Sequence, residues 1–425
     1  MKPILILCSL CCLMYLSLNS QKANSADAAW MKEWTNFDPN HFTYDQATET
    51  LPKYIREDTY LHNDITYLLS GPVYVVNGAI LTIQEGTVIR CDPTTFTALF
   101  VTKDAKLIAR GIKEQPIIFT SNQPEGYRKS GDWGGIIIAG AAPVQNSEDQ
   151  IIKGNFNAKY VSYGGSNPDE VSIILTYARI EFAGKKDSSH REQAGLSLYA
   201  VGSSSLVHHI MVSHSEKDSF GFFGGNIRSK NLISYKAKDD DYYFSESITA
   251  TLDSLLSVRH PYISDASGSH SITIEENNLR HTDNKKSSIA HSSNVRISNA
   301  TLLTLTDHTT YQHTGAAILI HDLSKLTVQN SRISGFSNIV QLDNSFKSYM
   351  NLQKYIRFEN NVFNIHDDNL VTASSLPNKS SEKLFEYNMS TKYFKEADDF
   401  FENPLKVKNP SFSLKNTEDS EIVTQ

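Results

Sequence analysis

Between Tyr177 and the mid-360s, pairs of apolar residues two positions apart keep returning: Ile180/Phe182, Ile210/Val212, Ile233/Tyr235, Leu256/Val258, Val295/Ile297, Leu326/Val328 and Ile356/Phe358. Their second members are 30, 23, 23, 39, 31 and 30 residues apart. A second set lies between them, at Leu196/Leu198, Phe220/Phe222, Phe244, Ile272/Ile274, Ile318/Ile320, Val340/Leu342 and Leu370. Gly, Ser, Asn and Asp separate the runs, with almost no helical period between them. Alternation is the strand signal, and its return at coil-sized intervals marks a repeat architecture. Two interleaved sets predict a parallel β-solenoid, in which each coil buries its apolar face only against its neighbours. A sandwich would show turns about every 8–12 residues and no longer repeat.

The same reading divides the chain. The stretch 27–66, rich in Trp, Tyr, Asp and Asn without a clean period, is expected to cap the N-terminal end, because a solenoid leaves open strand edges there. Short β-rich runs such as Val73–Val75, Ile80–Ile83 and Val88–Arg90 then open a β-helix spanning 67–371. Pro143, Gly164, Gly165 and Pro168 mark 141–176 as an insertion loop. The charged, aromatic segment 372–425 is expected to form a C-terminal cap and tail, with helix in Lys383–Phe385 and Phe394–Phe401.

The N-terminus changes the picture of where the chain works. Lys2 is followed by a nearly continuous apolar run from Ile4 to Leu18 and then by small polar residues. A run of about 15 residues is short for a membrane span, which needs about 20, and fits a cleaved signal over 1–26. The expectation is a secreted or outer-surface protein with no transmembrane segment after cleavage. Cys8, Cys11 and Cys12 fall within that signal, so Cys91 alone remains and neither a disulfide nor a cysteine zinc site can form. A net charge of −7 gives no reason to expect nucleic acid as a partner.

Several motifs carry a family resemblance over Tyr67 to about Ala300. They include Leu81-Thr82-Ile83-Gln84-Glu85-Gly86-Thr87, Pro116-Ile117-Ile118-Phe119-Thr120-Ser121-Asn122, Gly131-Asp132-Trp133-Gly134-Gly135, Ala178-Arg179-Ile180-Glu181-Phe182-Ala183-Gly184 and Asp239-Asp240-Asp241. With these the chain resembles a family of secreted β-helix proteins common in Bacteroidota. The resemblance implies an all-β, single-stranded, right-handed parallel β-helix with N- and C-terminal caps; it implies no firm activity. Gly221, Tyr243 and Ser245 depart from the family pattern where acids usually stand, which thins its acidic motifs.

Candidate chemistry centres on Asp218 and the run Asp239-Asp240-Asp241, which adjacent coils can bring together, with Glu246, Glu275 and Glu276 further along. Clustered carboxylates suit calcium, which takes six to eight oxygen ligands; Asp218, Asp239 and Asp241 are the candidate ligands, and no other cofactor is expected. Arg259, Lys236 or Lys238 could serve as the base of a lyase. Tyr242 and Tyr243, read as exposed, could stack on sugar. The candidate ligand-binding set is therefore Asp218, Asp239, Asp240, Asp241, Tyr242, Tyr243 and Arg259. His208 and His209 should point to opposite sides of a strand, so only one could serve a metal. Asn299, Asn330 and Asn360 are expected at coil corners, stacked as a partial ladder. The leading expectation is non-catalytic binding of extracellular polysaccharide or another cell-surface component. Its rival is a polysaccharide lyase or glycoside hydrolase using the Asp218/Asp239–Asp241 region, which needs two carboxyls in a cleft.

Overall fold

Alternation of buried and exposed positions winds the chain into successive coils of three short strands, each strand pairing in parallel with its equivalent one coil away. The computed structural model describes residues 29–424 except 145–149, 190, 192, 266–267, 277–291, 306–314, 373–382 and 416–421. The expected signal at 1–26 lies outside the described residues. The strands form three faces. Pro72–Val75, Ala98–Val101, Gly135–Ala139 and Leu196–Val201 stack on the first. Ile80–Ile83 and Lys106–Arg110 belong to the second, and Val88–Cys91 and Ile117–Ser121 to the third. Further on one strand can serve more than one face: Phe220–Tyr235 runs through first, second and third. This is the parallel β-helix that the spacing predicts.

Register explains the corners. From Tyr177 onward the bend between second and third faces is a single residue with positive φ in every coil: Tyr177, His209, Asn231, Ser254, Asn299, Asn330 and Asn360. Asn tolerates this left-handed conformation better than other non-glycine residues, which is why the sequence shows it there. The ladder of side-chain bonds to the next coil sits one residue further on than expected. Asn361 Oδ1 accepts from Ser331 N at 2.9 Å and its Nδ2 donates to Val328 O at 3.0 Å. Asn388 repeats the arrangement, accepting from Asn361 N at 3.0 Å and donating to Phe358 O at 2.9 Å. Asn299, Asn330 and Asn360 themselves face solvent.

The core is the interior of the coil. Phe220 stacks on Tyr242 at 5.2 Å and Phe222 on Phe244 at 4.9 Å, aromatic rungs one coil apart. Trp133 lies fully buried against Phe119, its Nε1 donating to Glu181 O at 2.8 Å. Gly135 beside it has φ +109, and an added Cβ would stand 2.5 Å from Ala194 O; only glycine lets the next coil approach this closely. Cys91 is buried and free.

Two boundaries differ from the sequence reading. The first coil begins at Glu49–Thr50, not at 67: this strand pairs with Tyr67–Leu68, Tyr54–Ile55 with Tyr74–Val75, and Thr59–Leu61 with Leu81–Ile83. Strands of two or three residues are too short to show a period, so they escape pattern reading. The stretch before them does not close an end; it crosses the outside of the third face. Trp34 and Phe37 pack there with Met211, Tyr235, Leu256 and Val258, and the C-terminal residues Phe400 and Phe412 join the same cluster. Phe37 and Phe412 meet at 6.1 Å. At the C-terminal end Leu384 and Phe385 enter the main core, Phe385 against Phe358 at 5.2 Å. In the last segment residues 383–385 are helical as expected, whereas the second expected helix is limited to Ala397–Phe400, and Phe401–Asn403 is a strand.

The insertion ends at Ser172, since Ile173–Glu181 is already a coil strand. Its residues Ile152, Val161 and Tyr163 cover the outside of the first face over Tyr74, Phe100 and Tyr199. Third and first faces thus carry apolar outer coats, while outward residues of the second face stay exposed along its C-terminal half.

Candidate functional site

The acidic run lies where the third face turns into the first. Parallel register places Phe220 beside Tyr242 and Tyr242 beside Ile272. Counting back, Asp218, Asp240 and His270 form one column across three coils, and Ser219, Asp241 and Ser271 the next. Asp241 points inward towards Ser234 and Ser257 while Asp240 points the other way, so the three consecutive aspartates do not share one site.

Asp218, Asp239 and Asp240 do converge, with ligand atoms all within 4.8 Å of one another. All three are buried, at 5%, 3% and 7% exposure. Like charges stacked directly across coils are destabilising, and the cluster holds its own counter-charge. Lys217 Nζ is paired with Asp239 Oδ2 and stands 3.7 Å from Asp218 Oδ1. Backbone amides supply the rest: Asp240 Oδ1 accepts from His270 N at 2.8 Å, and Asp218 Oδ1 from Asp240 N at 3.2 Å. Burial works to raise the Asp240 pKa, but hydrogen bonding and charge from His270 outweigh it and leave the carboxyl below its ordinary value. The donors are those of a calcium site, yet the cation among them is the lysine ammonium. Calcium does not fit unless Lys217 leaves.

Asp241, expected as a third metal ligand, is turned inward and fully buried. Its carboxylate accepts from Ser234 and Ser257 and stands 3.1 Å from Arg259 Nη1. Ser219 Oγ donates in turn to Ser234 Oγ at 2.7 Å and Ser257 shares a hydrogen bond with Ser271 at 2.6 Å, so a serine cage surrounds the carboxylate. Burial raises the Asp241 pKa against the pull of Arg259. Arg259, the expected base or ligand contact, is 4% exposed and also donates to Asp239 O at 2.8 Å and His270 O at 3.1 Å. It braces the corner from within.

The remaining expectations separate. Tyr242 is not exposed: it is completely buried in the aromatic stack, with its hydroxyl donating to Leu232 O or Leu256 O, each at 2.9 Å. The strand's own alternation put it inward, in phase with Phe220 and Phe244. Tyr243 is half-buried on the outer side against Phe223 at 5.7 Å. Glu246 accepts from Tyr163 Oη at 2.7 Å, and Glu276 from Ser247 N and Ser293 N at 2.8 and 2.7 Å. Neither joins the aspartate group, and Glu275 faces His321 at 3.8 Å. Lys236 lies over the Tyr235 ring at 5.0 Å and Lys238 pairs with Glu216. His208 and His209 do meet, Nδ1 to Nδ1 at 2.8 Å, because His209 is a left-handed corner and not an extended strand residue. His209 stacks on Tyr177 at 4.2 Å, and burial first, then His208 and Lys230, push its pKa down to about 4.

Pattern reading missed Lys217 and the serine cage. The signal was present: Ser234 and Ser257 occupy the inward column that holds Val212 one coil before and Leu302 one coil after. Serine at a core position announces a buried polar partner.

A separate groove of about 710 Å³ lies between the N-terminal segment and the second-to-third-face turns of the early coils. Phe37, Phe42, Asn36, Asn63, Gln115 and Glu114 are among its lining residues. Two of its charges are already met, Glu33 by Lys113 at 3.0 Å and Asp38 by His41 at 2.7 Å. Its floor is anchored by Arg179, 3.3 Å from Glu181, whose carboxylate also accepts from Tyr44 Oη at 2.9 Å.

Among the described residues no helix is long and apolar enough to cross a membrane. A family model for a pectate-lyase-like β-helix domain matches residues 53–400, and the chain belongs to that family. No curated protein matches the sequence. Among solved structures it is similar to the catalytic unit of a thermostable GH87 α-1,3-glucanase from Streptomyces thermodiastaticus. The identity is 10% and the TM-score 0.28, over 74% of this chain and 63% of that one.

Proposed function

We propose that this β-helix protein is exported by its N-terminal segment and binds extracellular polysaccharide on its outer surface without catalysing a reaction on it. Membership of a pectate-lyase-like family supports a polysaccharide as the partner. The observation that carries the non-catalytic half is the state of the acidic corner. A lyase needs a base free to take a proton beside an acid that can hold a metal, and a hydrolase needs two carboxyls flanking an open cleft. Here Lys217 sits among the clustered carboxylates and Arg259 is enclosed between Asp241 and two carbonyls. Both groups neutralise buried charge, which is a structural task.

Affinity electrophoresis of the mature protein through gels containing a panel of polysaccharides tests the reading, with product assays run on the same mixtures. The expected result is retardation by at least one polymer, with no new reducing ends and no unsaturated product. Turnover abolished by Asp239→Asn would overturn the non-catalytic half, and no retardation by any polymer would overturn the binding half.

A further inference from the structure

One outward column of the second face repeats every two coils. Strand register aligns Arg228 with Thr251, Thr251 with Arg296, Arg296 with Thr327 and Thr327 with Arg357. Beside this column runs a second, Asn226–Thr249–Asn294–Lys325, in the same register. Successive coils therefore present Asn-x-Arg, Thr-x-Thr and Asn-x-Arg. Parallel strands lie about 4.8 Å apart, so arginines two coils apart recur roughly every 9.6 Å along the axis.

Arg228, Arg296 and Arg357 are exposed, as are Thr249, Thr251, Lys230 and Lys325. Acids are few on this face. Asp253 is held by Ser298 and Asn299 at 2.7 Å each, and Glu359 stands 3.5 Å from Arg357. The result is a flat basic strip on a chain whose net charge is −7. Among the described residues, neither the insertion nor the terminal segments coat it as they coat the other two faces.

We infer that this strip binds an extended acidic polysaccharide lying parallel to the helix axis, with one carboxylate or sulfate on every second sugar. Two sugars of an extended β-linked chain advance by close to the two-coil step, so each anionic group meets a guanidinium. The threonine and asparagine side chains between them face sugar hydroxyls. A bidentate guanidinium suits carboxylate and sulfate geometry better than an ammonium does. Duplex DNA fits poorly, because it carries a charge about every 1.7 Å of axis and would leave most of them unmatched. The inference rests on the polysaccharide-binding reading and adds the place and the charge pattern.

The test compares the wild type with the double variant Arg228→Gln/Arg296→Gln, whose solvent-exposed changes leave the core intact. Binding is measured to hyaluronan, which has one carboxylate per disaccharide, and to polygalacturonate, dextran and duplex DNA, each at low and high salt. Wild type should bind hyaluronan most tightly, with affinity falling as salt rises. The double variant should lose about tenfold with an unchanged melting temperature, consistent with two exposed charge contacts. Equal hyaluronan binding by both proteins would overturn the assignment. Binding to dextran that both proteins share would leave the polysaccharide reading standing but move the site away from the strip, which overturns the inference. Tighter binding to DNA, or binding to none of the polymers, would overturn the inference outright.

Discussion

Arg259 Nη1 stands 3.1 Å from Asp241 Oδ2, and both side chains are buried. Breaking a buried pair from one side strands the other charge, at a cost of roughly 3–5 kcal/mol. Asp241→Ala is therefore expected to destabilise by about that amount in urea denaturation. A paired replacement, Asp241→Leu with Arg259→Met, should recover most of it, since an apolar pair of similar volume removes both charges. If Asp241→Ala unfolds at the wild-type midpoint, the carboxylate is not ionised and paired as described.

Lys217 gives a prediction about metals. Binding to the native state raises its melting temperature, so millimolar calcium should leave the wild type unchanged because the ammonium stands in the cation's place. Lys217→Ala should melt at lower temperature than wild type without calcium and gain stability when calcium is added. A calcium shift in the wild type, read by differential scanning fluorimetry, would show that the lysine yields to metal.

His214 stacks on Phe182 at 5.4 Å, and burial, followed by the charge of Lys236, lowers its pKa from 6.5 to about 4. Between those values the unfolded chain binds the proton and the folded chain does not. Stability is then full above pH 6.5 and drains away as pH falls towards 4, by about 3 kcal/mol for this residue. His214→Phe should flatten the pH dependence of the unfolding free energy in that window. An unchanged slope would assign the acid sensitivity elsewhere.

The outer coat of the third face should be worth as much as part of the core. Trp34 is completely buried between Trp30, Tyr177 and His209. Trp34→Ala is expected to cost about 3–5 kcal/mol and to speed proteolysis of the segment before Glu49. Equal stability would mean that the segment is loosely laid on the helix.

The solenoid was legible because its inward residues alternate in strands of four or more, as at Ile180, Val212 and Leu326. Its first coil was not, because Tyr54–Ile55 is too short to alternate. The aspartate run shows a different limit. Composition groups Asp239, Asp240 and Asp241, while the backbone assigns Asp241 to an inward column and leaves Asp240 opposite Asp218. Spacing alone located the corner but could not say which carboxylate faces which way. The counter-charge escaped notice for a related reason: Lys217 is adjacent to Asp218 in sequence, where residues of opposite charge usually mean an ordinary solvated turn.

The meeting of Phe37 with Phe412 also bears on how the molecule comes into being. An array of stacked repeats can ordinarily begin to fold at any point and grow coil by coil. Here the earliest described part of the chain must wait for Tyr235 to be laid down and for the last strands to arrive before it can settle. Assembly therefore closes with a clasp between the two extremities, and a shortened product lacking its final residues would keep the leading segment on the third face through Trp34 while losing the Phe37–Phe412 contact.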